Sequence, residues 1–180
     1  MIIRDPRREA DGSRGRVVEA FSENIDVMPT VLTWLGAKVP RQCDGRSVLP
    51  WLYGETPSDW RQEAHFEFDF RSILHSTAEQ DLGLRSDECV MNMQRGERYK
   101  YVHFTSLPPL LFDMEKDPGE LVSRIEDPDY REIALACAQK MLSWRMSNDD
   151  RVLANVFVQN GPHELDDHRR GYQKGVFPNF

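Results

Sequence analysis

Histidines, carboxylates and cysteines are the side chains here that could move a proton, hold a metal or attack an ester, and their spacing limits each role. His65, Glu67 and Asp69 stand two apart, so in an extended chain all three project from one face. Such a row could ligate a cation or pair an acid with a base. Phe66, Phe68 and Phe70 alternate with it, and the expectation is that the aromatic face is buried and the polar row solvated. His65 and His103 both fall in strand candidates, where a partly buried structural histidine is expected. His163-Glu164-Leu165-Asp166-Asp167-His168 gathers oxygen and nitrogen ligands in a short span. A metal centre also needs outer partners that fix its ligands, and the sequence around this span has no periodic element to supply them. Cys43, Cys89 and Cys137 are odd in number and form no C-x-x-C pair, which points to free thiols instead of a zinc site or a disulfide framework. Gly12-Ser13-Arg14-Gly15 lacks the lysine and the following helix of a phosphate loop, and no G-x-S-x-G elbow occurs. No residue is assigned a catalytic, cofactor-binding or metal-binding role from these patterns.

The elements that would position these residues follow from periodicity and turn chemistry. Ile2-Ile3 is a short apolar run ended by Pro6, and Val17 to Phe21 is a second strand candidate; between them, 7–15 reads as an exposed loop. Asp26 is placed to cap a helix with Pro29 in its first turn, an apolar stripe at Ile25, Met28, Val31, Leu32 and Leu35, and a stop at Gly36. Ser47 caps a short helix from Val48 to Tyr53 closed by Gly54. His65 to Arg71 has the period of a strand, and 72–87 that of a long loop or a short helix. Cys89 to Gln94 and Tyr99 to Phe104 form a hairpin around Arg95-Gly96-Glu97, with Leu110 to Met114 as a third strand and a turn at Asp117-Pro118-Gly119-Glu120. Asp127 and Pro128 begin a helix whose apolar positions are Tyr130, Ile133, Cys137, Met141 and Trp144. Beyond Ser147 one apolar patch, Val152 to Val158, precedes charged sequence, either an arm reaching over a neighbouring subunit or a frayed tail.

The composition of the 180 residues, 39% hydrophobic and 29% charged, suits a globular protein with a real core. A net charge of −7 disfavours nonspecific attraction to nucleic acid or to anionic lipid, so neither is an expected partner. No apolar run is long enough for a membrane span. Free thiols and the lack of an apolar leader point to the cytoplasm.

Several blocks, taken in order, resemble the last third of a sulfatase of the alkaline phosphatase superfamily, nearest its phosphonate monoester hydrolases. They are Ile2-Ile3-Arg4-Asp5-Pro6; 23–36; Cys43-Asp44-Gly45-Arg46-Ser47-Val48-Leu49-Pro50; Arg98-Tyr99-Lys100-Tyr101-Val102; 111–120; and Ser143-Trp144-Arg145-Met146 with Asp150-Arg151-Val152-Leu153. The resemblance implies a parent hydrolase of sulfate, phosphate or phosphonate esters, with a formylglycine nucleophile made from cysteine in a C-x-P/A-x-R context and a divalent cation held by aspartates, an asparagine and a histidine. None of the three cysteines stands in that context, and the metal ligands of the family lie upstream of the block at which this chain starts. The family also usually carries an asparagine near Ser123 or Arg124, which suggests an altered turn there.

The expected fold class is therefore α+β. It comprises a remnant strand–helix end of an alkaline-phosphatase-like α/β sheet (1–60), a small antiparallel sheet packed against a C-terminal helix (61–147), and an extended arm (148–180). The expected role is that of an enzyme's end portion, inactive alone, which completes the large sheet, walls one side of the substrate cleft and assists homo-oligomerisation. A free-standing binding or assembly module derived from such an enzyme is the alternative.

Overall fold

The computed structural model describes residues 1–40, 43–72 and 77–148, and the backbone of two strands beyond them, Val156–Val158 and Pro162–Glu164. It contains two compact units, Met1–Glu23 with Pro50–Trp144, and Asn24–Leu49 with Arg145–Phe180.

The first unit is built on a four-stranded antiparallel sheet in the order β1-β2-β3-β4: β1 Glu63–Asp69, β2 Val90–Gly96, β3 Tyr99–Phe104 and β4 Leu110–Asp113. The predicted hairpin forms in register, Arg95 opposite Lys100 and Met91 opposite Phe104, with β2 running through Gly96 so that only Glu97 and Arg98 make the turn. A 3-10 turn, Pro128–Tyr130, leads into the long helix Arg131–Asn148, and the Asp127 carboxylate accepts the Asp129 N–H at 3.1 Å, as its capping position requires. Counting the helices before it, Val27–Trp34 (α1), Leu49–Leu52 (α2) and Thr77–Leu82 (α3), this is α4. Tyr130 of the turn and Met141 of the helix join Tyr101 and Leu111 of the sheet in the core, with Tyr99, Ile125, Ile133, Ala134, Cys137 and Ala138 packed around them. Each large apolar side chain buried there contributes about 1.5–3 kcal/mol.

The turn after β4 answers the question raised by Ser123. Its hydroxyl accepts the N–H of Leu111 at 3.3 Å and of Ile125 at 3.4 Å, while Arg124 N–H donates to the Leu111 carbonyl at 2.7 Å. An asparagine amide oxygen could serve as the same acceptor. Ser123→Ala is expected to lower stability by about 1 kcal/mol, because the N–H of fully buried Leu111 loses its partner. Ser123→Asn should restore most of that loss, and urea midpoints of the three proteins check it.

The N-terminal segments depart from expectation. Neither Ile2-Ile3 nor Val17 to Phe21 is a strand, and Ile2 is 100% exposed. A strand is defined by its ladder, and no described segment pairs with either stretch, so both run on without one. Conversely, the predicted loop 7–15 is largely a 3-10 helix, Arg8–Ser13, with Ala10 buried. Asp5 nucleates it by accepting the Arg7 N–H at 3.0 Å, and the Ser13 hydroxyl ends it on the Ala10 carbonyl at 3.1 Å.

In the second unit α1 ends as predicted. Gly36 has φ 71°, and the Ala37 N–H returns to the Leu32 carbonyl at 2.8 Å. Its start differs. Asp26 already has helical angles, as the last residue of a 3-10 turn, and makes no capping bond; its buried carboxylate accepts the Arg46 N–H at 2.8 Å instead. The Thr30 hydroxyl donates to the Asp26 carbonyl at 2.6 Å and accepts the Val48 N–H at 3.0 Å. The side of α1 that is covered is therefore the Pro29 and Thr30 side, and Ile25, Met28, Val31 and Leu35 of the predicted stripe are exposed. The arm contains a two-stranded hairpin, β5 Val156–Val158 against β6 Pro162–Glu164, which puts His163 opposite Phe157. His168, Phe177 and Phe180 lie outside the described residues.

Candidate functional site

On β1 the expected burial of Phe66 and Phe68 fails, while His65 is partly buried and Glu67 and Asp69 are solvated as expected. Phe66 and Phe68 are 48% and 50% exposed, while the His65 side chain is only 5% exposed and lies under α4. Its ring stacks on Trp144 with centroids 3.9 Å apart and planes within 4°. Nε2 meets Glu63 Oε1 at 3.2 Å, and the backbone N–H donates to Glu23 Oε1 at 2.7 Å. Glu63 also accepts from Gln94 at 2.8 Å and forms an ion pair with Lys140 of α4. Register explains the company, since Gln94 stands opposite His65 on β2 and Tyr101 opposite Gln94 on β3. Burial pushes the His65 pKa below the ordinary imidazole value, against the pull of Glu63. Glu67 and Asp69 stay exposed farther along the strand, Asp69 held by Arg71, so the three do not converge. His103 is exposed, not partly buried as predicted, with Nδ1 hydrogen-bonded to the Tyr101 hydroxyl at 3.0 Å.

A second cluster, absent from the sequence reading, lies at the end of β4. The fully buried Asp113 carboxylate accepts from Arg98 Nε at 3.3 Å, Arg98 Nη2 at 3.0 Å and the Tyr130 hydroxyl at 2.9 Å. Lys116 Nζ donates to the Tyr130 oxygen at 2.9 Å, and Glu115 pairs with Arg98 at 3.1 Å. The Arg98 and Tyr130 hydrogen bonds outweigh burial and hold the Asp113 pKa at about 2. The only sequence signal was an acidic residue closing an apolar strand near basic neighbours.

A cleft of about 370 Å³ near the N-terminus is lined by Arg4, Ser13, Arg14, Arg16, Trp51 and Leu52, among others. Arg14 pairs with Asp11, and Arg16 donates to the Glu55 carbonyl and the Thr56 hydroxyl while lying over the Trp51 ring. Asp5 in its wall is locked to Arg7, Nη2 to Oδ2 at 2.8 Å. The cleft thus holds no base in position to activate a nucleophile.

The described donors are not gathered for a divalent cation either. Among the described residues no group of three or more His, Cys, Asp or Glu side chains could hold one. The buried carboxylates Asp5, Asp26, Glu79 and Asp113 are already engaged by N–H, hydroxyl or guanidinium donors. Burial raises the pKa of the Cys89 and Cys137 thiols, opposite to what a reactive thiolate requires. Cys43 Sγ lies 3.3 Å from Met28 Sδ.

A four-stranded antiparallel sheet with one long helix packed against it makes this an α+β fold. The chain belongs to the family described as N-sulphoglucosamine sulphohydrolase, C-terminal, whose model matches residues 1–147. It is 50% identical over 155 residues to the multifunctional alkaline phosphatase superfamily protein PehA of Trinickia caryophylli, covering 86% of this chain and 30% of that protein. Among solved structures, the phosphonate monoester hydrolase of Agrobacterium radiobacter superimposes with a TM-score of 0.77 at 43% identity, covering 86% of this chain and 31% of that one. The phosphonate monoester hydrolase of Silicibacter pomeroyi gives 0.75 at 36% identity, covering 84% and 30%. The chain therefore spans about a third of the length of these relatives. Among the described residues no helix is long and apolar enough to cross a membrane.

Proposed function

We propose that this chain is the C-terminal portion of a hydrolase of sulfuric, phosphoric or phosphonic esters, and that its own contribution is structural. The observation that carries this reading is the match of 1–147 to a C-terminal sulfatase domain, in a chain spanning 30% of PehA. The hydrogen-bonded polar clusters support it, since they bind parts of the chain to one another. The formylglycine and the divalent cation of the parent reaction would belong to other parts of the enzyme, and no step of that reaction is assigned to residues here. The apolar side chains left exposed at Ile25, Met28, Val31, Leu35, Phe66 and Phe68 support a packing role, either against the rest of the enzyme or in a homo-oligomer.

The polypeptide alone is expected to give no turnover of an aryl sulfate, a phosphodiester or a phosphonate monoester above buffer, with or without added manganese. Turnover that disappears on replacing His65, Glu67 or another named residue would sink the reading. A free-standing assembly module is the second reading, favoured by the same exposed side chains. Sedimentation of the purified chain tests it, a single defined oligomer supporting it and a monomer or a polydisperse mixture opposing it.

A further inference from the structure

The groups around His65 tie the end of α4 to β1. We propose that His65, Glu63, Lys140 and Trp144 form an acid-labile clasp, which releases the last turns of α4 from the sheet when His65 becomes charged. The neutral imidazole lies flat on Trp144 at 3.9 Å, with its side chain 5% exposed. A charge in this slot would have to be desolvated.

The surroundings do little to offset that penalty. From its own strand His65 faces Glu63, which is already paired with Lys140; from the preceding chain it faces Glu23, which is already paired with Arg61. From α4 it faces the ammonium of Lys140 itself, which opposes a second positive charge. From β2 it faces Gln94, whose Nε2 donates to Glu63 and whose buried Oε1 has no hydrogen-bond partner. Both carboxylates are thus already countered by cations, and burial prevails: the folded His65 takes up its proton at lower pH than an unfolded one.

The linkage has a definite sign. The native state binds fewer protons than the unfolded state below the ordinary value of 6.5, so the clasp is fully effective above that pH and weakens as pH falls towards the folded pKa. Opening α4 at Trp144 removes the desolvation penalty by exposing the ring, so relief is local to the turns from Lys140 to Trp144.

The test is a histidine-ring NMR titration of the full chain, together with hydrogen exchange along α4. The wild-type His65 midpoint should lie below 6.5 and coincide with loss of amide protection between Lys140 and Trp144. Lys140→Met should raise the midpoint and Glu63→Gln should lower it, each by about half a pH unit or more. His65→Phe keeps a ring on Trp144 and should abolish the acid step in exchange. Lys140 is more than half exposed, so its variant should fold, and opposite shifts cannot arise from general loosening. A wild-type midpoint at or above 6.5, shifts of the wrong sign, or an acid step that survives His65→Phe would each overturn the proposal.

Discussion

Gly45→Ala is expected to destabilise the chain by at least about 3 kcal/mol. A Cβ at position 45 would lie 2.1 Å from the Ile25 oxygen, 2.4 Å from the Ile25 carbonyl carbon and 2.8 Å from the Asp26 nitrogen. These are backbone atoms at the start of α1, so no rotamer change relieves the clash and the loop from Cys43 to Val48 must retreat. Retreat breaks hydrogen bonds that fasten it, among them Arg46 N–H to the Asp26 carboxylate and Val48 N–H to the Thr30 hydroxyl. Asp26 is fully buried, and a buried carboxylate that loses a donor carries a large penalty. Domains are stable by only about 5–15 kcal/mol in total, so the urea midpoint should fall steeply. Gly12→Ala is the control: nothing lies within 4 Å of its added Cβ, and its midpoint should stay within about 0.5 kcal/mol of wild type. If the two variants behave alike, loop 43–48 does not seat on α1 as described.

That contact gives two of the family-like sequence blocks a physical meaning. Asp26, Pro29 and Thr30 lie in one and Gly45, Arg46 and Val48 in the other, and they meet in a hydrogen-bonded knot. The sequence alone located α1 because Pro29 and Gly36 act locally, through a missing N–H and a left-handed angle. It could not show that Asp26 serves Arg46, twenty positions away, since a capping aspartate and a loop-binding aspartate look alike before the loop is placed. The β2–β3 hairpin and α4 were legible for the same local reason, while Ile2-Ile3 and Val17 to Phe21 were not, because a strand depends on a neighbour that periodicity does not name. Alternation in β1 revealed two unlike faces but not which one is covered. That choice rests with α4, whose Trp144 takes the His65 ring and whose Lys140 takes Glu63. Both polar clusters escaped the sequence reading because their members are brought together only by strand register and by the crossing of the helix.

Asp113→Ala is expected to cost about 3 kcal/mol near neutral pH, by removing the acceptor of two Arg98 hydrogen bonds and of the Tyr130 hydroxyl. Tyr130 is a core residue, so its hydroxyl would be left buried beside Lys116 with no acceptor on the β4 side. Asp113→Asn keeps the shape and loses the charge, and should cost about 1–2 kcal/mol under the same conditions. The pH dependence separates charge from packing. The folded pKa of about 2 lies below the ordinary value of 3.8, so the stability due to the ionised form is fully present above 3.8 and disappears as pH falls through about 2. The gap in urea midpoint between wild type and Asp113→Asn should therefore be constant from neutral pH to about pH 5 and close across the acid window. A gap that persisted unchanged to about pH 2 would show that ionisation of Asp113 does not produce it. Closure of the gap would also bear on function. A carboxylate held ionised so far below neutrality by Arg98 and Tyr130 is a poor proton donor in any ester hydrolysis near neutral pH, and its hydrogen bonds fasten β4 to the turn that leads into α4.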